Sequence, residues 1–148
     1  MSPLAMTATS HSSAPAALVY AALLDAESWP AWTSSYEVQW ELPAGVERPA
    51  RIDDIRTIRT RSGRVWCRER IVELVPDQRF GYERAAGPLE SHRASVDLAR
   101  APQGGTDITW SATYRHAFPL VGPLRRRRLE VLVHDLAAYA NSIVSRNS

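Results

Sequence analysis

From residue 121 to residue 144 the chain reads VGPLRRRRLEVLVHDLAAYANSIV, and this stretch decides the fold. Leu129, Leu132, Val133, Leu136, Tyr139, Ala140 and Ile143 recur at steps of three and four residues. At about 100° per residue these positions share one side of a helix, as a stripe built for burial. Gly122-Pro123 reads as a break in front of it. Projection of the helix places Arg125 along the apolar stripe, one turn before Leu129. Arg127 points well away from it, and His134 lies on the outer side.

Nothing earlier makes a comparable helix. Residues Leu4–Ser12 alternate weakly and are rich in Thr and Ser, as a first strand would be. Ser13 can cap the helix that follows, with Pro15 in its first turn, where a missing N–H costs nothing. That helix, Ala16–Leu24, is apolar almost all round. A second short helix or tight turn then carries Trp29-Pro30-Ala31-Trp32. Either both tryptophans are core plugs or one of them, Trp32, lines a ligand space.

From Tyr36 onward the punctuation is regular: Pro43-Ala44-Gly45, Ser62-Gly63, Pro76-Asp77, Gly87-Pro88 and Gly104-Gly105 are turn signals. They separate segments 36–42, 51–60, 64–75, 79–84, 88–101 and 106–118, which read as long strands in a meander rather than as βαβ units. The order is a strand, two helices, six strands and a long helix, an α+β arrangement in one domain spanning residues 1–148.

Composition narrows the class. With 45% hydrophobic and 23% charged residues, the 148-residue chain has the balance of a globular protein with a real core. The net charge of +2 is concentrated in Arg125-Arg126-Arg127-Arg128, a local cluster without the aromatic platform or basic stripe of a nucleic-acid binder. Cys67 is alone, which excludes an internal disulfide and a cysteine metal cluster. No run of 18 apolar residues spans a membrane, and the N-terminus lacks the basic start and apolar run of a signal peptide. A cytoplasmic monomer or homodimer is therefore expected, with no cofactor and no metal.

Strand parity suggests what faces inward. In 106–118 the even positions are Ile108, Trp110, Ala112, Tyr114, His116 and Phe118, against a polar odd set. In 88–101, Ala94, Val96 and Leu98 share that parity, and extending the face backwards adds His92 and Glu90. A hairpin turn at 101–105 pairs Leu98 with Ile108 and Val96 with Trp110, sets His92 opposite Tyr114, and sets Glu90 opposite His116. Either these polar residues are strand ends running into solvent, or they line a cavity. The geometric condition is that both strands stay regular through Glu90 and His116. The segment 64–75 changes apolar parity and reads as bulged, with Trp66 or Arg68 inward. Cys67 reads as a small buried hydrophobe rather than a nucleophile.

The series of motifs resembles a known superfamily. Ser13-Ala14-Pro15-Ala16, Trp29-Pro30-Ala31-Trp32, the strand–turn–strand run from Arg70 through Pro76-Asp77 to Phe80, Gly105-Thr106-Asp107-Ile108-Thr109-Trp110, and Phe118-Pro119 to Pro123 occur in an order similar to that of the START-like, or Bet v 1-like, helix-grip proteins. The likeness is specifically to the SRPBCC branch that includes polyketide cyclase/dehydrase-type proteins. The resemblance implies a seven-stranded antiparallel sheet wrapped around the C-terminal helix, with two short helices between strands 1 and 2 and an apolar cavity inside. It also implies ligands such as lipids, hormones or polyketides, and in some members cyclisation or dehydration.

These readings converge on a binder of a small hydrophobic molecule. The candidate lining is Trp32, Glu90, His92, Ala94, Val96, Trp110, Ala112, Tyr114, His116, Arg125, Leu129, Leu132 and Leu136. Arg125 stands where an anionic group could be met at the cavity mouth. The alternative is an enzyme of cyclase or dehydratase type using His92, His116, Tyr114 or Glu90 in proton transfer. No nucleophile elbow, phosphate loop or dense metal-ligand spacing demands chemistry, so catalysis stays open.

Overall fold

The computed structural model describes residues 4–86, 90–115 and 121–147. The elements follow the expected order: β1 Leu4–Ser12, α1 Ala16–Leu24, a 3-10 turn Ala26–Ser28, α2 Trp29–Trp32, β2 Tyr36–Trp40, β3 Ile55–Thr60, β4 Val65–Val75, β5 Arg79–Ala86, β6 Glu90–Arg100, β7 Thr106–Arg115 and α3 Val121–Arg146. The strands form one seven-stranded antiparallel sheet in the order β1-β7-β6-β5-β4-β3-β2, so the first strand closes onto the last. Period-two alternation sends Ile108, Trp110, Ala112 and Tyr114 of β7 to the buried face, as parity requires. Leu129, Val133, Leu136, Ala137 and Ala140 of α3 pack on that face, against a core that includes Ile71, Phe80, Val96 and Trp110.

Several boundaries differ from expectation. Strand β2 stops at Trp40 rather than residue 42, β3 begins at Ile55 rather than residue 51, and β5 runs on to Ala86 rather than ending at residue 84. The expected strand continuation to His116 and Phe118 lies outside the described residues. Gly122-Pro123 does not precede α3 but falls in its first turn, where a missing proline N–H costs no helical bond. Ser13 does not cap α1. Pro15 holds that position, and no side chain satisfies it. The Ser13 hydroxyl and amide instead donate to Oδ1 of Asn141 at 3.0 and 2.7 Å, together with the Ser12 hydroxyl at 2.8 Å. One amide oxygen on α3 thus ties the helix to the corner between β1 and α1.

The register decides which expectations about the site survive. Leu98 pairs with Ile108 and Val96 with Trp110, through Ala94 with Ala112 and Arg93 with Thr113. Beyond that point the strands do not stay regular: Glu90 pairs with Arg115, not His116, and the register shifts between Glu90 and Arg93. Ser91, at φ 53°, and His92 together stand opposite Tyr114 alone, a two-to-one bulge. The bulge keeps His92 beside Tyr114 but ends the pairing that would have set Glu90 against His116. Strand β4 is bulged as well. Ile58 pairs with Cys67 and Arg59 with Val65, which leaves Trp66 unpaired against β3.

Candidate functional site

Between the inner face of the sheet and the first half of α3 lies a cavity of about 50 Å³. Met6, Ile58, Trp66, Trp110, Leu129 and Leu132 supply most of its apolar wall, with Trp29 and Ala112. Its polar groups are Tyr36, Arg56, Glu69, Tyr82, His92, Arg125 and Arg128. A space of this size admits a few ordered waters without rearrangement.

The cavity has a charged floor. Arg56 is 1% exposed and its Nε donates to Glu69 Oε1 at 2.9 Å. Alternation brings them there: Arg56 and Ile58 share one face of β3, and Cys67, Glu69 and Ile71 share one face of β4. Removing two charges from water costs several kcal/mol per ion, roughly, unless both are well partnered. Here the guanidinium carbon sits 4.8 Å from the Phe80 ring centre, 5.0 Å from Trp29, 5.3 Å from Tyr82 and 5.9 Å from Trp40. Aromatic faces carry negative potential, so they favour a cation so placed. Arg56 also donates to the Leu23 carbonyl at 3.2 Å. That carbonyl is among the last of α1, a helix end whose exposed C=O groups favour positive charge. Trp29 Nε1 reaches the same carbonyl at 3.2 Å, and Trp40 Nε1 reaches that of Leu24 at 2.9 Å.

The remaining polar groups line the way out. Trp110 Nε1 donates to the Tyr82 hydroxyl at 3.1 Å, while burial pushes the pKa of that phenol well above its ordinary range. Burial also pushes the Cys67 thiol up, and among the described residues its polar contact is Glu69 Oε2 at 3.8 Å, so it is a poor nucleophile. At the outer end the Arg125 guanidinium lies over Trp66, 4.9 Å from the ring centre. Its Nε is buried and has no hydrogen-bond partner. Arg128 donates to the Tyr36 hydroxyl at 3.3 Å.

His92 stands edge-on to Tyr82 and Tyr114, with ring centres 5.9 and 6.4 Å away. Burial lowers its pKa from the ordinary 6.5; Glu69 opposes that shift, and Arg125 and Arg84 add to it. The folded state therefore holds the neutral ring at pH values where the unfolded chain already takes up a proton. The unfolded state binds more protons there, so stability falls as pH drops below about 6.5. A His92→Gln variant should lose stability less steeply than the parent between about pH 6.5 and 5. Urea unfolding at stepped pH measures this, and equal slopes would contradict it.

Of the residues expected in the lining, His92, Trp110, Ala112, Arg125, Leu129 and Leu132 meet at this cavity. Ala94, Val96 and Leu136 are buried in the core but do not line it. Trp32 does not line it either. The two tryptophans of α2 pack ring to ring at 4.5 Å; Trp29 faces the cavity, while Trp32 donates to the Ser28 hydroxyl behind it. Tyr114 is 1% exposed and borders a separate groove with Pro123 and Arg126. The side chains of Glu90 and His116 lie outside the described residues. Arg68 faces outward and pairs with Glu41 at 2.6 Å, whereas Trp66 reaches the cavity. Sequence reasoning missed Arg56, Glu69, Tyr82 and Trp29. A signal for Glu69 existed, since it shares parity with Cys67 and Ile71.

Residues 3–142 match the family described as polyketide cyclase / dehydrase and lipid transport. The chain belongs to this family. No curated protein matches the sequence. Among solved structures, protein CV1439 from Chromobacterium violaceum is similar with a TM-score of 0.67 at 21% identity, covering 93% of this chain and 97% of that one. Ara h 8.0201 is similar with a TM-score of 0.72 at 16% identity, covering 95% of this chain and 99% of that one. The expected Bet v 1-like helix-grip fold is thus the fold the chain has. Among the described residues no helix is long and apolar enough to cross a membrane.

Proposed function

We propose that the chain, as a single ligand-binding domain, takes a small hydrophobic molecule such as a lipid, polyketide or aromatic metabolite into the cavity between sheet and α3. The observation that carries this reading is the cavity itself, walled by Trp66, Trp110, Ile58, Leu129 and Leu132 around a few fixed polar groups. That is the composition of small-molecule sites in general. The membership of a family described by cyclase, dehydrase and lipid-transport activities supports it. Because the space is about 50 Å³, a ligand larger than a few waters is admitted by displacing the Arg128 and Leu132 side chains.

The test is to fill the space from its wall. Ala112 is 4% exposed and faces the cavity. An Ala112→Leu variant should bind the neutral fluorophore N-phenyl-1-naphthylamine at least about tenfold more weakly. Overpacking should cost about 1–3 kcal/mol of stability. Unchanged affinity in a folded variant would remove the cavity assignment.

A second reading, an enzyme of cyclase or dehydratase type, is favoured by one observation. The carboxylate of Glu69 and the neutral ring of His92 face the same space, as an acid–base pair acting on one ligand would. Turnover of a bound polyketone that survives His92→Gln unchanged would exclude His92 from that role.

A further inference from the structure

Among the described residues the cavity wall carries three guanidinium groups, from Arg56, Arg125 and Arg128, against one carboxylate, Glu69. Arg56 and Glu69 answer each other at 2.9 Å. Arg128 is exposed and bonded to Tyr36. Arg125 is left over: among the described residues no carboxylate pairs with it, and its buried Nε has no partner. Trp66 covers one face of the guanidinium, which leaves its in-plane N–H groups for a planar acceptor. A half-buried cation without a counter-charge is costly, and a carboxylate would supply charge and two acceptor atoms together.

Glu69, which lines the same space, has the complementary need. Glu69 Oε1 is taken by Arg56, and among the described residues Oε2 meets only the Cys67 thiol, at 3.8 Å. An ionised carboxylate only accepts hydrogen bonds, so that oxygen suits a hydroxyl from the cavity. Glu69 and Arg125 line the same space. Trp110, Ile58 and Leu132 add flat or apolar surfaces to that lining.

Building on the cavity-binding reading above, we propose that the preferred ligand is a compact hydroxylated aromatic carboxylic acid. Its carboxylate lies on Arg125, its hydroxyl donates to Glu69 Oε2, and its ring fills the apolar middle. A neutral hydrocarbon satisfies neither end, and a cation is opposed by the excess of arginine.

Calorimetric titration of the purified full chain with matched naphthalenes tests this. 6-Hydroxy-2-naphthoate should bind tightest. Removal of the carboxylate, in 2-naphthol, should weaken binding about tenfold or more, the scale of a charge-assisted pair. Blocking the donor, in 6-methoxy-2-naphthoate, should weaken it about fivefold, the scale of one hydrogen bond. This second arm uses unmodified protein, since replacing Glu69 would strand Arg56. Arg125→Gln should erase the preference for the acid, bringing the affinities for 6-hydroxy-2-naphthoate and 2-naphthol to within about twofold of each other. Equal binding of acid and 2-naphthol, or a preference that survives Arg125→Gln, overturns the ligand class. If N-phenyl-1-naphthylamine binds and no naphthoate does, the ligand class falls alone. If nothing in the series binds, the cavity reading falls and this inference falls with it.

Discussion

Replacing Arg56 by methionine should lower the unfolding free energy by about 3–5 kcal/mol, because it leaves the Glu69 carboxylate buried without its counter-charge. Glu69 is 6% exposed, and among the described residues its carboxylate meets, besides Arg56, a weak thiol donor. The aromatic box would close around the methionine but offers nothing to a carboxylate. Pairing Arg56→Met with Glu69→Leu removes both charges and should recover most of the loss, since apolar replacement of a buried ion pair is often neutral or better. Denaturant unfolding of the parent, the single variant and the double variant gives both numbers. A single variant within about 1 kcal/mol of the parent would mean that the pair is effectively solvated. Recovery of stability in the double variant with loss of ligand binding would place the value of the pair in the site rather than in the fold.

Gly105→Ala should cost about 2–4 kcal/mol, combining a left-handed backbone with a steric clash. Gly105 has φ +77°, and a Cβ there would run into the Ser12 carbonyl oxygen and lie 2.9 Å from the Ser13 Cα. Those backbone atoms belong to the corner that Asn141 holds, so they cannot give way without releasing α3. Gly104 is an internal control. It has φ +95° but open space around it, so Gly104→Ala should show the backbone part alone, about 1–2 kcal/mol. Thermal unfolding of the two variants side by side separates the terms. Equal losses would mean that the clash is relieved by local movement.

The fold was legible because the strongest signals were long and periodic. The α3 stripe, the alternation of β7 and the turn pairs all point to a sheet on a helix, and register within the β6–β7 hairpin followed from its turn. The site was legible only where that regularity held. His92, Trp110, Ala112, Leu129 and Leu132 came from parity or helical phase, and Arg125 from its place one turn before Leu129. The bulge at Ser91 broke the count toward Glu90, because a positive φ at a serine carries no sequence mark. Arg56 was missed for a different reason. Burying an arginine is unfavourable until its partners are known, and those partners come from α1, α2, β2, β4 and β5. No single segment predicts that convergence. In α2, two tryptophans three residues apart share nearly one helix face, and only tertiary packing decides which meets the cavity.

The attachment at Asn141 has a mechanical consequence. One side-chain oxygen there receives three hydrogen bonds from Ser12 and Ser13, near the far end of α3 from the cavity. Arg125 lies 16 residues away along the same helix, about 24 Å at 1.5 Å per residue. A helix that tilted about Asn141 would carry the Arg125–Trp66 stack at the far end of that length. A tilt of about 5° about that pivot swings the first turn outward by about 2 Å over that length. Small rotation at a fixed point thus becomes clearance at the opening, without breaking the sheet.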